Sequence, residues 1–86
     1  MNYYIVAVRD RALDAFGRPV YVQALAHAIR SFQDEINRHA PDNEMSKHPE
    51  DYDLYYLATY NDDTGQFTNT ERPTQIAIGK QLSTEE

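Results

Sequence analysis

Tyr3, Tyr4, Ile5, Val6 and Val8 form a run of aromatic and β-branched residues that is apolar on both alternating faces. That is the pattern of a strand in the middle of a sheet or at a subunit seam. Residues 9–19 then turn polar, with Gly17 suited to a left-handed turn and Pro19 to a helix start or an extended lead-in. Leu25, Ile29, Phe32 and Ile36 recur at spacings of four, three and four, one stripe of an amphipathic helix. The stripe predicts a helix over residues 22–38. Ala24 and Ala28 beside it permit close approach to a sheet, and Arg30, Asp34 and Arg38 form an i, i+4 ladder on the outer side. Pro41 stops the helix.

Residues 41–53 read as a long, polar, acidic loop. A hairpin follows. Residues 54–60 are a strand, 61–65 a turn with Gly65 as its left-handed residue, and 66–68 the return strand. After a second turn near Glu71, Arg72 and Pro73, residues 75–78 make a last short strand, and the tail 82–86 is expected to fray. The order strand, helix, strand, strand, strand predicts an α+β fold. Three or four mostly antiparallel strands are covered on one face by a single helix, and the uncovered face is mated by a second subunit.

At 86 residues this is one domain, residues 1–86, which buries roughly 60–65% of its unfolded surface. With no cysteine and no Cys/His spacing for zinc, nothing else staples so thin a core, which favours a homodimer. The first residues lack a basic leader, and their apolar run is too short for a signal peptide core or a membrane span. The expectation is a soluble, intracellular protein without membrane contact.

The net charge of −6 opposes tight, sequence-independent binding to phosphates. Its distribution is uneven. Residues 1–40 carry five basic residues, all Arg, against four acids, a net of +1, whereas residues 41–86 carry three against ten, a net of −7. An anionic partner would meet the first half and a basic partner the second.

The sequence offers little to an enzyme. Asp63-Thr64-Gly65 spells the aspartic-protease triplet but sits in a polar hairpin tip, without the flanking apolar strand that chemistry requires. The three glycines are isolated and make no phosphate loop, and no serine lies in a Ser-His-Asp arrangement. His48 with Glu50, Asp51 and Asp53 lacks the spacing of a calcium loop, and His27 and His39 have no metal-ligand partner in the sequence. The expectation is a non-enzyme with no cofactor, no metal and no catalytic residue. Seven tyrosines are the notable excess. Tyr3, Tyr4, Tyr55, Tyr56 and Tyr60 fall on strands, where alternation sends some to the open face; there they stack unpaired bases or fill a core or dimer seam.

Three segments carry a resemblance. Residues 28–38 (Ala-Ile-Arg-Ser-Phe-Gln-Asp-Glu-Ile-Asn-Arg), 48–55 (His-Pro-Glu-Asp-Tyr-Asp-Leu-Tyr) and 62–67 (Asp-Asp-Thr-Gly-Gln-Phe) follow Gly17-Arg18-Pro19 in that order. The chain resembles, from about Tyr3 to Lys80, the nonstructural protein of gokushoviruses, microvirus-family bacteriophages with circular single-stranded DNA. Ala58 departs from the Gly that the family often places there, which bears on local strand packing. The resemblance implies a non-virion viral protein of the host cytoplasm. It further implies DNA binding in viral DNA replication, at the switch to single-strand synthesis and packaging, and assigns no catalytic residues.

The leading expectation is therefore a homodimeric accessory protein that binds single-stranded DNA. Its expected contacts are Arg9, Arg11 and Arg18 in the connector, Arg30 and Arg38 on the helix, and Tyr3 and Tyr55 on strands. The alternative is an acidic protein–protein adaptor that binds the phage replication initiator or a host protein without touching DNA.

Overall fold

The computed structural model describes residues 1–84. Its backbone is one curled antiparallel sheet with helices on one face. β1 (Asn2–Asp10) is central, as its two apolar faces require. β4 (Tyr52–Asn61) pairs along one edge of β1, and β5 (Gln66–Ile78) pairs outside β4. The other edge of β1 is shared by two short strands, β2 (Ala15–Phe16) against Arg9–Asp10 and β3 (Val20–Val22) against Tyr4–Val6.

Helix α1 (Leu25–Ile36) lies over the face that carries Val6, Val8 and Leu54, and its Ala28, Phe32 and Ile36 complete the core. The stripe read from the sequence is the packed one. The helix is shorter than expected at both ends, and Ala24, which holds the N-cap position, makes no side-chain cap bond. Arg38 lies beyond the helix. It makes a bidentate pair with Glu35 at 2.8 and 3.0 Å and reaches Asp42 at 3.7 Å, so the expected ladder with Arg30 and Asp34 is replaced by local pairs.

Three further corrections concern the polar segments. The connector 9–19 contains β2. Asp10 accepts from the Ala12 N–H at 3.0 Å, Asp14 takes a left-handed φ of 56°, and the chain folds back on β1. The segment 41–53 is ordered by a short helix α2 (Glu44–Lys47) and a 3-10 turn over Pro49–Asp51. Buried Asn43 holds this region: it caps α2 through the Met45 N–H at 3.1 Å and donates to the Glu35 and Arg38 carbonyls at 2.8 Å each. The helix cover is thus not single. The two strands expected at 66–68 and 75–78 are one long strand, bulged where Thr70–Pro73 finds no register partner on β4. Thr70 Oγ1 lies 2.9 Å from the Leu57 carbonyl and 2.7 Å from that of Arg72, which braces the bulge.

The chain ends in α3 (Gly79–Leu82), whose Leu82 packs on the core. Thr84 then bonds the side chain of Asn37 through its N–H at 2.8 Å. Glu85 and Glu86 lie outside the described residues.

Candidate nucleic-acid interface

Strand register decides what the uncovered face presents. Across it run Tyr3, Tyr60 and Phe67 in one row, Tyr21, Ile5, Ala58 and Asn69 in the next, then Ala7, Tyr55 and Gln75, then Phe16, Arg9, Asp53 and Ile78. Ile5, Ala7 and Ala58 at the centre are buried, while Tyr21 and Phe67 remain 55% and 56% exposed and Phe16 42%. The rings form two clusters. Tyr21 meets Tyr3 and Tyr60 edge-on at 6.4 and 5.8 Å, and Tyr60 meets Phe67 at 4.8 Å. At the other end Phe16 and Tyr55 meet at 5.3 Å, and the Arg9 guanidinium lies 5.9 Å from the Phe16 ring centre.

The charge on this face is sparse. Its one register-placed carboxylate, Asp53, is only 2% exposed and faces the Arg11 Nε at 3.3 Å. Most other carboxylates of the described residues lie on the helix side and in the turns. Sparse charge with exposed rings is the surface on which unpaired bases stack. It is equally the composition of a protein interface core.

Of the residues expected to bind, Tyr3, Tyr55 and Arg9 share this face. Arg9 also pairs with the Asp14 carboxylate. Arg11, half exposed, donates to the Glu50 carbonyl and lies 3.3 Å from the Asp53 carboxylate. Arg18 sits exposed in the Gly17–Pro19 link, with no ion pair among the described residues. Arg30 is exposed on α1 and Arg38 pairs beyond its end, both on the side away from the aromatic face. The five arginines do not form one patch. Phe16, Tyr21 and Phe67 were missed because they lie in segments read as connector, helix lead-in and short return strand. The alternation of Val20, Tyr21 and Val22 was the available signal.

His48, Glu50 and Asp51, three of the four residues weighed as a cation set in the sequence, bring donor atoms within 4.8 Å of one another. His48 lies 3.9 Å from Glu44 and 3.8 Å from Glu50, and its side chain and theirs are all more than half exposed, the geometry of surface ion pairs. Asp63-Thr64-Gly65 forms the β4–β5 turn with Gly65 at φ 73°, and Asp62 and Asp63 pair with the Met1 ammonium at 2.8 and 3.2 Å. Those hydrogen bonds raise the pKa of the ammonium. Hydrogen bonds from Arg38 hold the Glu35 carboxyl below its ordinary value. Burial first, and then Asp10, Glu44 and Asp51, push the Tyr52 phenol up.

No helix among the described residues is long and apolar enough to cross a membrane. No curated protein and no solved structure matches the chain. A family model described as Phage ORF5 protein matches residues 3–82.

Proposed function

The chain belongs to the Phage ORF5 protein family, and from that premise we propose that it is a non-enzymatic accessory protein that holds unpaired DNA on its aromatic sheet face. The supporting observation is the pair of exposed ring clusters on a face that offers a phosphate chain no exposed carboxylate in register. The role fits a gokushovirus-type nonstructural protein of the host cytoplasm that acts when single-stranded genomes are made and packaged. Stacking supplies most of the affinity, because Arg9 is shared with Asp14 and Arg11 is spent on Asp53. With one or two phosphates neutralised, log Kd should change with log salt with a slope of magnitude only about 1.

Fluorescence anisotropy with oligothymidylate and with duplex DNA tests this reading. Single strands should bind, and duplex, whose bases are stacked away, should not. Tyr21→Ala and Phe67→Ala should each weaken binding roughly 5- to 150-fold, the equivalent of ~1–3 kcal/mol per stacked base. Both side chains are more than half exposed, so the fold should hold. No anisotropy change at tens of micromolar protein in low salt refutes the reading and favours the adaptor alternative. If sedimentation shows a dimer that the same two substitutions dissociate, a second copy occupies the face instead.

A further inference from the structure

The helix side of the sheet is not filled. Between β3 and α1 a hollow of about 200 Å³ has Val6, Val8 and Leu54 as its floor and Val20, Val22 and Phe32 as walls. Past Val8 and Met45, which line both, a second hollow of about 320 Å³ runs along β2 to Leu13 and Tyr52. The cause is topological: the edge of β1 is served by two short strands, and the chain leaves it at residues 18–19, after the Gly17 N–H bonds the Val8 carbonyl at 2.7 Å. The result is a continuous apolar trench with exposed lips, Leu13 at 75% and Val20 at 50%.

The Tyr52 end of the trench is acidic. Asp10 lines it, and Asp10, Glu44 and Asp51 are the charges that act on the Tyr52 phenol. Lys47 offsets one of them, 3.7 Å from Glu44. An apolar floor with a negative end repels nucleic acid and complements an apolar segment that carries cations at one end. Met45, a flexible and polarisable side chain, lets the floor adapt to that segment. Residues 5–11, 25–30 and 76–80, where this chain leads apolar residues into a basic one, are all taken up in its own strands and helices, which points to a different protein rather than a second copy.

We propose that this trench docks a short apolar segment of a different protein, with Lys or Arg placed against Asp10, Glu44 and Asp51. The floor of the trench is on the opposite face from the aromatic clusters, and the two sites meet only at Phe16, so variants at Val20 and Leu13 test docking apart from DNA binding.

The test is methyl-detected NMR and anisotropy on the full chain with three synthetic probes: a Leu/Lys peptide, its Leu/Glu counterpart and a Ser/Lys counterpart. The Leu/Lys peptide should move the Val20, Val22 and Met45 methyl signals and bind at least tenfold tighter than either control. Val20→Asp should lose that binding while Tyr21→Ala keeps it, and Leu13→Asp serves if Val20→Asp does not fold. Equal binding of the Ser/Lys peptide, or no methyl shifts at millimolar Leu/Lys peptide, overturns the proposal. So does a dimer in which those methyls are already covered and become free on dilution.

Discussion

Gly79→Ala is the substitution whose outcome the structure fixes most tightly. A Cβ placed there would lie 2.4 Å from the Tyr52 carbonyl oxygen, 2.5 Å from that of Pro49 and 3.0 Å from the Ile36 Cδ1. The first two obstacles are backbone, and both are tied: Tyr52 opens β4 against Asp10, and Pro49 is buried at the start of the 3-10 turn. Relief must come from moving α3 off the core, which also strains the Gly79 N–H contact to Asp53 at 3.4 Å. Overpacking of this kind costs about 1–3 kcal/mol, and two backbone contacts place it at the upper end. The better helix propensity of Ala returns less than ~1 kcal/mol at a helix start. The net loss is about 2–3 kcal/mol, from a total of roughly 4–13 kcal/mol for a chain of this length. Urea unfolding followed by circular dichroism should show the midpoint falling by about 1 M or more. Gly17→Ala, whose Cβ would meet only the Val8 carbonyl at 3.5 Å, is the control and should move it little. A Gly79→Ala midpoint within error of the parent would refute the close approach of α3 to β4.

Asn43→Ala removes a helix cap and two carbonyl partners from a side chain in a 4%-exposed residue, and should cost about 2–3 kcal/mol in the same assay. A loss under ~0.5 kcal/mol would mean that water replaces it. Arg11→Met leaves the buried Asp53 carboxylate facing only the Gly79 N–H and should cost about 1–3 kcal/mol, below the range for a fully buried pair because Arg11 is half exposed. In an Asp53→Asn background the same change should cost less, and an unchanged cost would sink the pairing. The raised Tyr52 phenol contributes stability that is full below its unfolded value near pH ~10 and is lost as pH rises through its folded value. Tyr52→Phe should therefore flatten the alkaline fall in Tm, and parallel curves would contradict the cause assigned to that shift.

The legible parts of this chain were those set by local pattern. The stripe of Leu25, Ile29, Phe32 and Ile36 marked the helix face, and the two-sided apolar run of β1 marked a central strand. Gly65 marked its turn because a positive φ has few alternatives. The polar segments were illegible for the opposite reason. Asn43, Asn37 and Asp10 organise α2, the C-terminal segment and the β1–β2 turn through hydrogen bonds to distant or local backbone, and polar residues that cap look the same in sequence as polar residues in solvent.

For the candidate interface the division is sharper. Composition alone established an excess of tyrosine and a first half rich in arginine. It did not establish that Arg11 pairs with Asp53, that Arg30 and Arg38 lie on the helix side, or that Phe16, Tyr21 and Phe67 join Tyr3, Tyr55 and Tyr60 on one surface. Those facts follow from strand register and from bulges at Leu57, Thr70–Pro73 and Ile76. Each bulge resets which residues face the same way, and register is fixed by pairing across the sheet rather than by neighbours in the chain.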